Sequence, residues 1–150
     1  MASYNKFQDF VGDLCGEIHQ LVGDAGASPP TADILKIYLT NAAPSAADDS
    51  VKADLAEIAT GNGYTGAVSV ENSGVEATGT FTLTGTKVTI TAAGGAIAQF
   101  RYVVLFNDDA ASDELIAWWD YVSAVDLASG ESFTVKFNNG DPDGTIFTLA

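Results

Sequence analysis

Residues 77–92 read A-T-G-T-F-T-L-T-G-T-K-V-T-I-T-A, a run in which β-branched, aromatic and aliphatic side chains alternate with period two. Such alternation puts successive side chains on opposite faces of a pleated strand. Phe81 and Leu83 share one face, and Thr80, Thr82 and Thr84 share the other. The threonines suit a solvated sheet face, where β-branching fits the backbone and the hydroxyls stay wet. Gly85-Thr86 interrupts the run before Val88 and Ile90 resume the inward phase. The pattern predicts two antiparallel strands joined by a tight turn at Gly85, since glycine supplies the positive φ of such turns.

The same pattern recurs outward from this run. Residues 34–40 (I-L-K-I-Y-L-T) alternate Leu35, Ile37 and Leu39 against Lys36 and Tyr38. Strands are also predicted over 67–71, 99–107, 114–121, 132–138 and 145–149, with a further one over 16–22. Gly, Asn and Asp punctuate them, and the segment 23–31 (G-D-A-G-A-S-P-P-T) reads as an exposed loop. Many short strands at this spacing define an all-β chain, expected as a jelly-roll-like β-sandwich. A short helix is expected near 50–59, capped by Ser50, with Val51, Leu55, Ile58 and Ala59 on one stripe. Phe7, Phe10, Val11 and Leu14 recur at helical spacing, so residues 1–13 are expected as an N-terminal arm or short helix. Residues 14–150 then form the single domain. One continuous core is expected, containing Leu35, Ile37, Leu39, Leu55, Phe81, Leu83, Val88, Ile90, Val104 and Phe133.

The chain has 150 residues, enough for one core and too few for two. Its 20 acids against 6 bases leave a net charge of −14, which repels phosphate and argues against nucleic acid or an anionic membrane as partner. No apolar run reaches the ~18 residues of a membrane span, and the opening residues lack the basic-then-apolar pattern of a secretory signal. The lone cysteine, Cys15, excludes an internal disulfide.

The inventory of reactive groups is thin. His19 is the only histidine and lies four positions after Cys15, but two further soft ligands for a zinc site are missing. No nucleophile elbow, Walker loop or dinucleotide glycine loop occurs. Residues 139–144 (N-G-D-P-D-G) match the first half of a calcium loop through Asn139, Asp141 and Asp143. The position of the bidentate Glu is Ala150, however, and the same residue types serve a hairpin tip. No cofactor and no enzymatic activity are expected.

The aromatic residues carry more. In 114–121, alternation puts Leu115, Ala117, Trp119 and Tyr121 on one face and Ile116 and Trp118 on the other. In 99–107 the faces carry Phe100, Tyr102, Val104 and Phe106 against Arg101, Val103 and Leu105. Both strands are therefore apolar on both faces. Either the chain's own loops cover the second face, or a second chain does, with Trp118 and Val103 as interface candidates. The N-terminal segment carries Tyr4, Phe7 and Phe10, which is unusually aromatic for a chain end. Those rings tie it either to the chain's own core or to a partner.

Several stretches together resemble small β-rich structural proteins of tailed-bacteriophage virions, of the capsid decoration or cement type. They are 4–11 (Y-N-K-F-Q-D-F-V), 35–44 (L-K-I-Y-L-T-N-A-A-P), 53–65 (A-D-L-A-E-I-A-T-G-N-G-Y-T), 100–108 (F-R-Y-V-V-L-F-N-D), 115–121 (L-I-A-W-W-D-Y) and 132–137 (S-F-T-V-K-F). The chain departs from that pattern in a longer 24–31 loop. The resemblance implies a homotrimer on the outer capsid surface, made in the host cytoplasm and docked on the major capsid protein. Tyr4, Phe7 and Phe10 would be its docking anchors. The alternative is a tail-associated or receptor- and glycan-binding module of the virion, in which exposed Trp and Tyr stack on sugars.

Overall fold

The computed structural model describes residues 2–22, 31–138, 140 and 142–150. Among them the chain is all-β and sandwich-like. Its strands are β1 (Tyr4–Lys6), β2 (Leu35–Thr40), β3 (Val68–Ser69), β4 (Ser73–Ala77), β5 (Thr80–Thr86), β6 (Val88–Thr91), β7 (Ile97–Asn107), β8 (Leu115–Leu127), β9 (Ser132–Val135) and β10 (Asp143–Leu149), with one short helix, α1 (Phe10–Cys15). A five-stranded sheet in the order β1-β8-β7-β2-β3 faces a three-stranded sheet, β10-β5-β4, and a two-stranded one, β6-β9. All pairings are antiparallel.

The run 77–92 keeps its phase but not its pairing. β5 continues through Gly85, which lies opposite Gly144 of β10, and the turn of its hairpin is instead Thr78-Gly79, joining β4 to β5. Both turn residues have positive φ, 51° and 83°, the signature of a type I′ turn. Gly85 is required by close packing: a Cβ there would meet Ile146 Cδ1 at 2.9 Å and the Phe137 ring at 3.1 Å. After Lys87 the chain leaves for the two-stranded sheet, where Val88 and Ile90 pair with Val135 and Phe133.

The main core lies between the sheets. Leu35, Ile37, Leu39, Val103, Leu105, Ala117 and Trp119 face Leu83, Val88, Ile90, Val135 and Phe147. The expected single core is corrected by a second cluster, Phe7, Tyr38, Leu55, Val104, Phe106 and Leu115, which sets Leu55 and Val104 apart from the other expected core residues. Phe81 and Phe133 are half-buried against the main core. The second cluster accounts for the doubly apolar β7 and β8. The chain's own segments cover the other face, Leu55 and Phe7 supplying side chains to it. In β8 the inward phase is re-set by a bulge, because Leu105 pairs with Ala117 but Phe106 pairs with Leu115, leaving Ile116 over.

Two local expectations change. The helix expected over 50–59 is a single 3-10 turn, Lys52–Asp54. Tertiary hydrogen bonds hold its flanks extended: Leu115 N–H donates to Ser50 O, Lys52 N–H to Asp113 O and Ile58 N–H to Leu39 O. Ser50 is not the cap; the Asp54 carboxylate accepts from the Ser50 and Val51 N–H groups at 2.9 and 3.0 Å. The strand expected over 16–22 is absent among the described residues. There α1 ends at Cys15 with Gly16 as its C-cap, Glu17 has φ 62°, and the chain turns away with Ile18 N–H bonded to Asp13 O. The loop expected over 23–31 falls outside the described residues except for Thr31.

Candidate docking groove

A cleft of about 810 Å³ runs between two strands that are sheet edges among the described residues, β1 and β10. Ala2, Ser3 and Tyr4 line one wall and residues 145–148 the other, with Trp119 and Phe137 at the floor and Asn138 at one end. β1 is placed by its pairing with β8, which sets Tyr4 opposite Trp119. β10 is placed by β5, with a bulge at Ile146 that turns both Ile146 and Phe147 inward.

The rings form a connected series. Tyr4 meets Trp119 edge-on at 5.8 Å and 70°, and Phe147 at 6.5 Å. Trp119 meets Phe137 at 5.5 Å, and Phe147 meets Phe10 at 5.3 Å. Edge-to-face contacts of this kind add to area burial and stiffen the floor. Burial pushes the Tyr4 phenol up to about 12, so it remains a neutral hydrogen-bond donor at neutral pH. Ser3, Thr148 and Asn138 are exposed at the rim. An apolar floor under a rim of hydroxyl and amide groups, flanked by strand edges, suits an extended polypeptide or a small polar ligand.

Of the anchors picked from sequence, only Tyr4 reaches this groove. Phe7 has no exposed surface and packs its ring 4.5 Å from Trp118 in the second cluster. Phe10 is buried in the main core. The chain's own core therefore ties down the N-terminal segment. Val103 is fully buried in the main core and pairs with Trp119, whereas half-buried Trp118 pairs with Val104 on the opposite face. The single interface face expected from Trp118 and Val103 is thus corrected: the two side chains point to different clusters. Asn139 and Asp141 lie outside the described residues. Asp143 begins β10, and its Oδ1 accepts from the Thr86 hydroxyl at 2.7 Å. Cys15 is exposed and His19 buried. No group of three or more His, Cys, Asp or Glu among the described residues is placed to hold a metal.

Sequence reasoning missed Phe137, Thr145 and Phe147 as groove residues. The alternation over 145–149 marks a strand, but only the packing of β10 against Trp119 and Tyr4 makes it a groove wall. Comparisons with protein-family models, curated proteins and solved structures returned no match.

Proposed function

We propose that this chain is a structural virion protein of the decoration type, a homotrimer that docks on the major capsid protein through the β1–β10 groove and bridges neighbouring capsid subunits. The observation that carries the docking role is the groove itself, an aromatic floor between two strands that are sheet edges among the described residues. The virion setting comes from the ordered sequence resemblance. The net charge of −14 supports it, keeping free copies soluble and away from packaged DNA. A bridging protein adds buried interface between subunits, so that separating them against internal pressure costs more.

The glycan-binding reading draws on the polar rim and on Tyr4 and Trp119. Trp119 is only 8% exposed, which leaves little ring face for a sugar to stack on, and this favours a polypeptide occupant. The test is co-sedimentation with undecorated heads, alongside subunit counting on particles and light scattering of the free protein. Capsid-level stoichiometry and a trimer mass are expected. The double variant Ser3→Arg, Thr148→Arg, at two exposed rim positions, should melt like the parent and lose at least about tenfold in head affinity, or 1.4 kcal/mol. A monomer in solution, or undiminished binding by the well-folded variant, overturns the trimer or the groove respectively.

A further inference from the structure

His19, the only histidine of the chain, is 3% exposed. Its ring packs on Phe10 at 5.4 Å, and its Nδ1 lies 3.1 Å from Asn107 Nδ2 at the end of β7. An amide nitrogen can only donate, so Nδ1 is the acceptor and the neutral ring carries its proton on Nε2. Among the described residues that Nε2 has no hydrogen-bond partner; Asp13 Oδ2 lies 4.0 Å away. Asn107 is a hub. The two hydrogens of its Nδ2 are shared among three acceptors, His19 Nδ1, Ile18 O at 3.2 Å and Asp33 Oδ2 at 2.6 Å, while its Oδ1 accepts from Asp109 N–H at 3.1 Å. Gln20 and Asp33 close the arrangement, Gln20 N–H donating to Asp33 Oδ2 at 2.7 Å and Asp33 N–H to Gln20 O at 2.8 Å.

We propose that residues 16–22 form a pH-released clasp, in which protonation of His19 breaks the hold of Asn107 on this segment and uncovers the apolar surface beneath it. A second ring proton sits on Nδ1 and faces the Asn107 amide, donor against donor. Asn107 cannot answer by turning its amide over. Its oxygen would then face the Ile18 carbonyl and the Asp33 carboxylate, and its NH2 would face the Asp109 N–H. The relief is for the segment carrying His19 to move. Beneath it lie buried Phe10 and a cavity of about 310 Å³ walled on the far side by Leu14, Phe81 and Leu149, into which the segment's own Leu21 packs.

Burial holds the ring's proton affinity below the ordinary histidine value, against Asp13 of α1, Asp33 before β2 and Glu114 before β8, which pull it upward. β5 and β10 present only apolar groups, Phe81 and Leu149, to this cavity. The clasp is therefore shut at neutral pH and opens only below the ordinary histidine value.

The test follows the His19 ring by NMR and amide exchange across residues 16–22, with protection factors corrected for the intrinsic pH dependence of exchange. Between pH 7 and pH 5, protection of 16–22 should fall by about tenfold relative to β7, with a midpoint matching that of the ring. His19→Gln, which offers an acceptor to Asn107 but no titration, should hold its protection flat over the same range. Protection that stays constant through the ring titration overturns the clasp, as does the same release in His19→Gln. Should that variant not fold, the agreement or disagreement of the two midpoints in the parent chain decides.

Discussion

Phe7 follows β1 with its N–H bonded to Ile116 O, and its ring fills the second cluster against Trp118 with no surface left exposed. Truncating such a side chain removes both the transfer term and the contacts of the surrounding atoms. Phe7→Ala should therefore cost about 3–5 kcal/mol, read as a lower urea midpoint with an unchanged slope. A loss below about 1 kcal/mol would mean that the second cluster collapses readily around the gap. Tyr64 shows a different dependence. Its hydroxyl donates to Glu57 Oε1 at 2.6 Å and accepts from Leu39 N–H at 3.1 Å, and burial followed by the Glu57 contact pushes the phenol well above its ordinary range. The aromatic content of both neighbourhoods was plain in the sequence. Which ring meets which was not, because an aromatic residue at a chain end is equally suited to its own core or to a partner's.

At the scale of elements, β4 and β5 depend on the Thr78-Gly79 turn, where Thr78 holds a left-handed conformation that β-branched residues adopt only under strain. Asn tolerates it better, so Thr78→Asn should stabilise the protein by about 1 kcal/mol in chemical denaturation. Gly79→Ala, at φ 83°, should move the midpoint the other way. The strand periods over 77–92 were legible, and so was the inward set Leu83, Val88 and Ile90. The pairing was not. A glycine in a strand serves equally for a turn or for close approach, and period two says nothing about which strand lies alongside. The segment 50–59 shows the same limit from the helical side. Its stripe of Val51, Leu55 and Ile58 fits a helix, yet backbone bonds to both flanking sheet strands outweigh the propensity of one short segment. Leu55 is buried either way, which is why the core residue survives although the element does not.

For the whole molecule, the titrating groups set a direction for stability against pH. His19 has its proton affinity lowered by folding, so its contribution is present above the unfolded value of about 6.5 and is lost as the pH falls below it. Asp54, held low by the Ser50 and Val51 N–H groups, and Asp120, held low by Arg101, act further down. Their support is present above the ordinary carboxylate range and disappears as the pH drops through it. Asp13 opposes them, since burial raises its value. Between about pH 7 and pH 5.5 the carboxylates stay largely charged, so His19 dominates and Tm should fall over that interval. A Tm that is flat or rising there would show that its neighbours keep the ring in balance. What the sequence determined by itself was the class and the faces. Alternation made the chain all-β, and the charge balance set its surface character. The apolar phases of residues 35–39 and 81–90 selected their core residues, because side-chain direction in a strand is a local property. The tertiary structure alone decided the strand partners, the second core that covers β7 and β8, and the groove where Tyr4 meets Trp119 and Phe147. Those depend on contacts between residues far apart in the chain, and the energies that select among them come from packing, which no local pattern records.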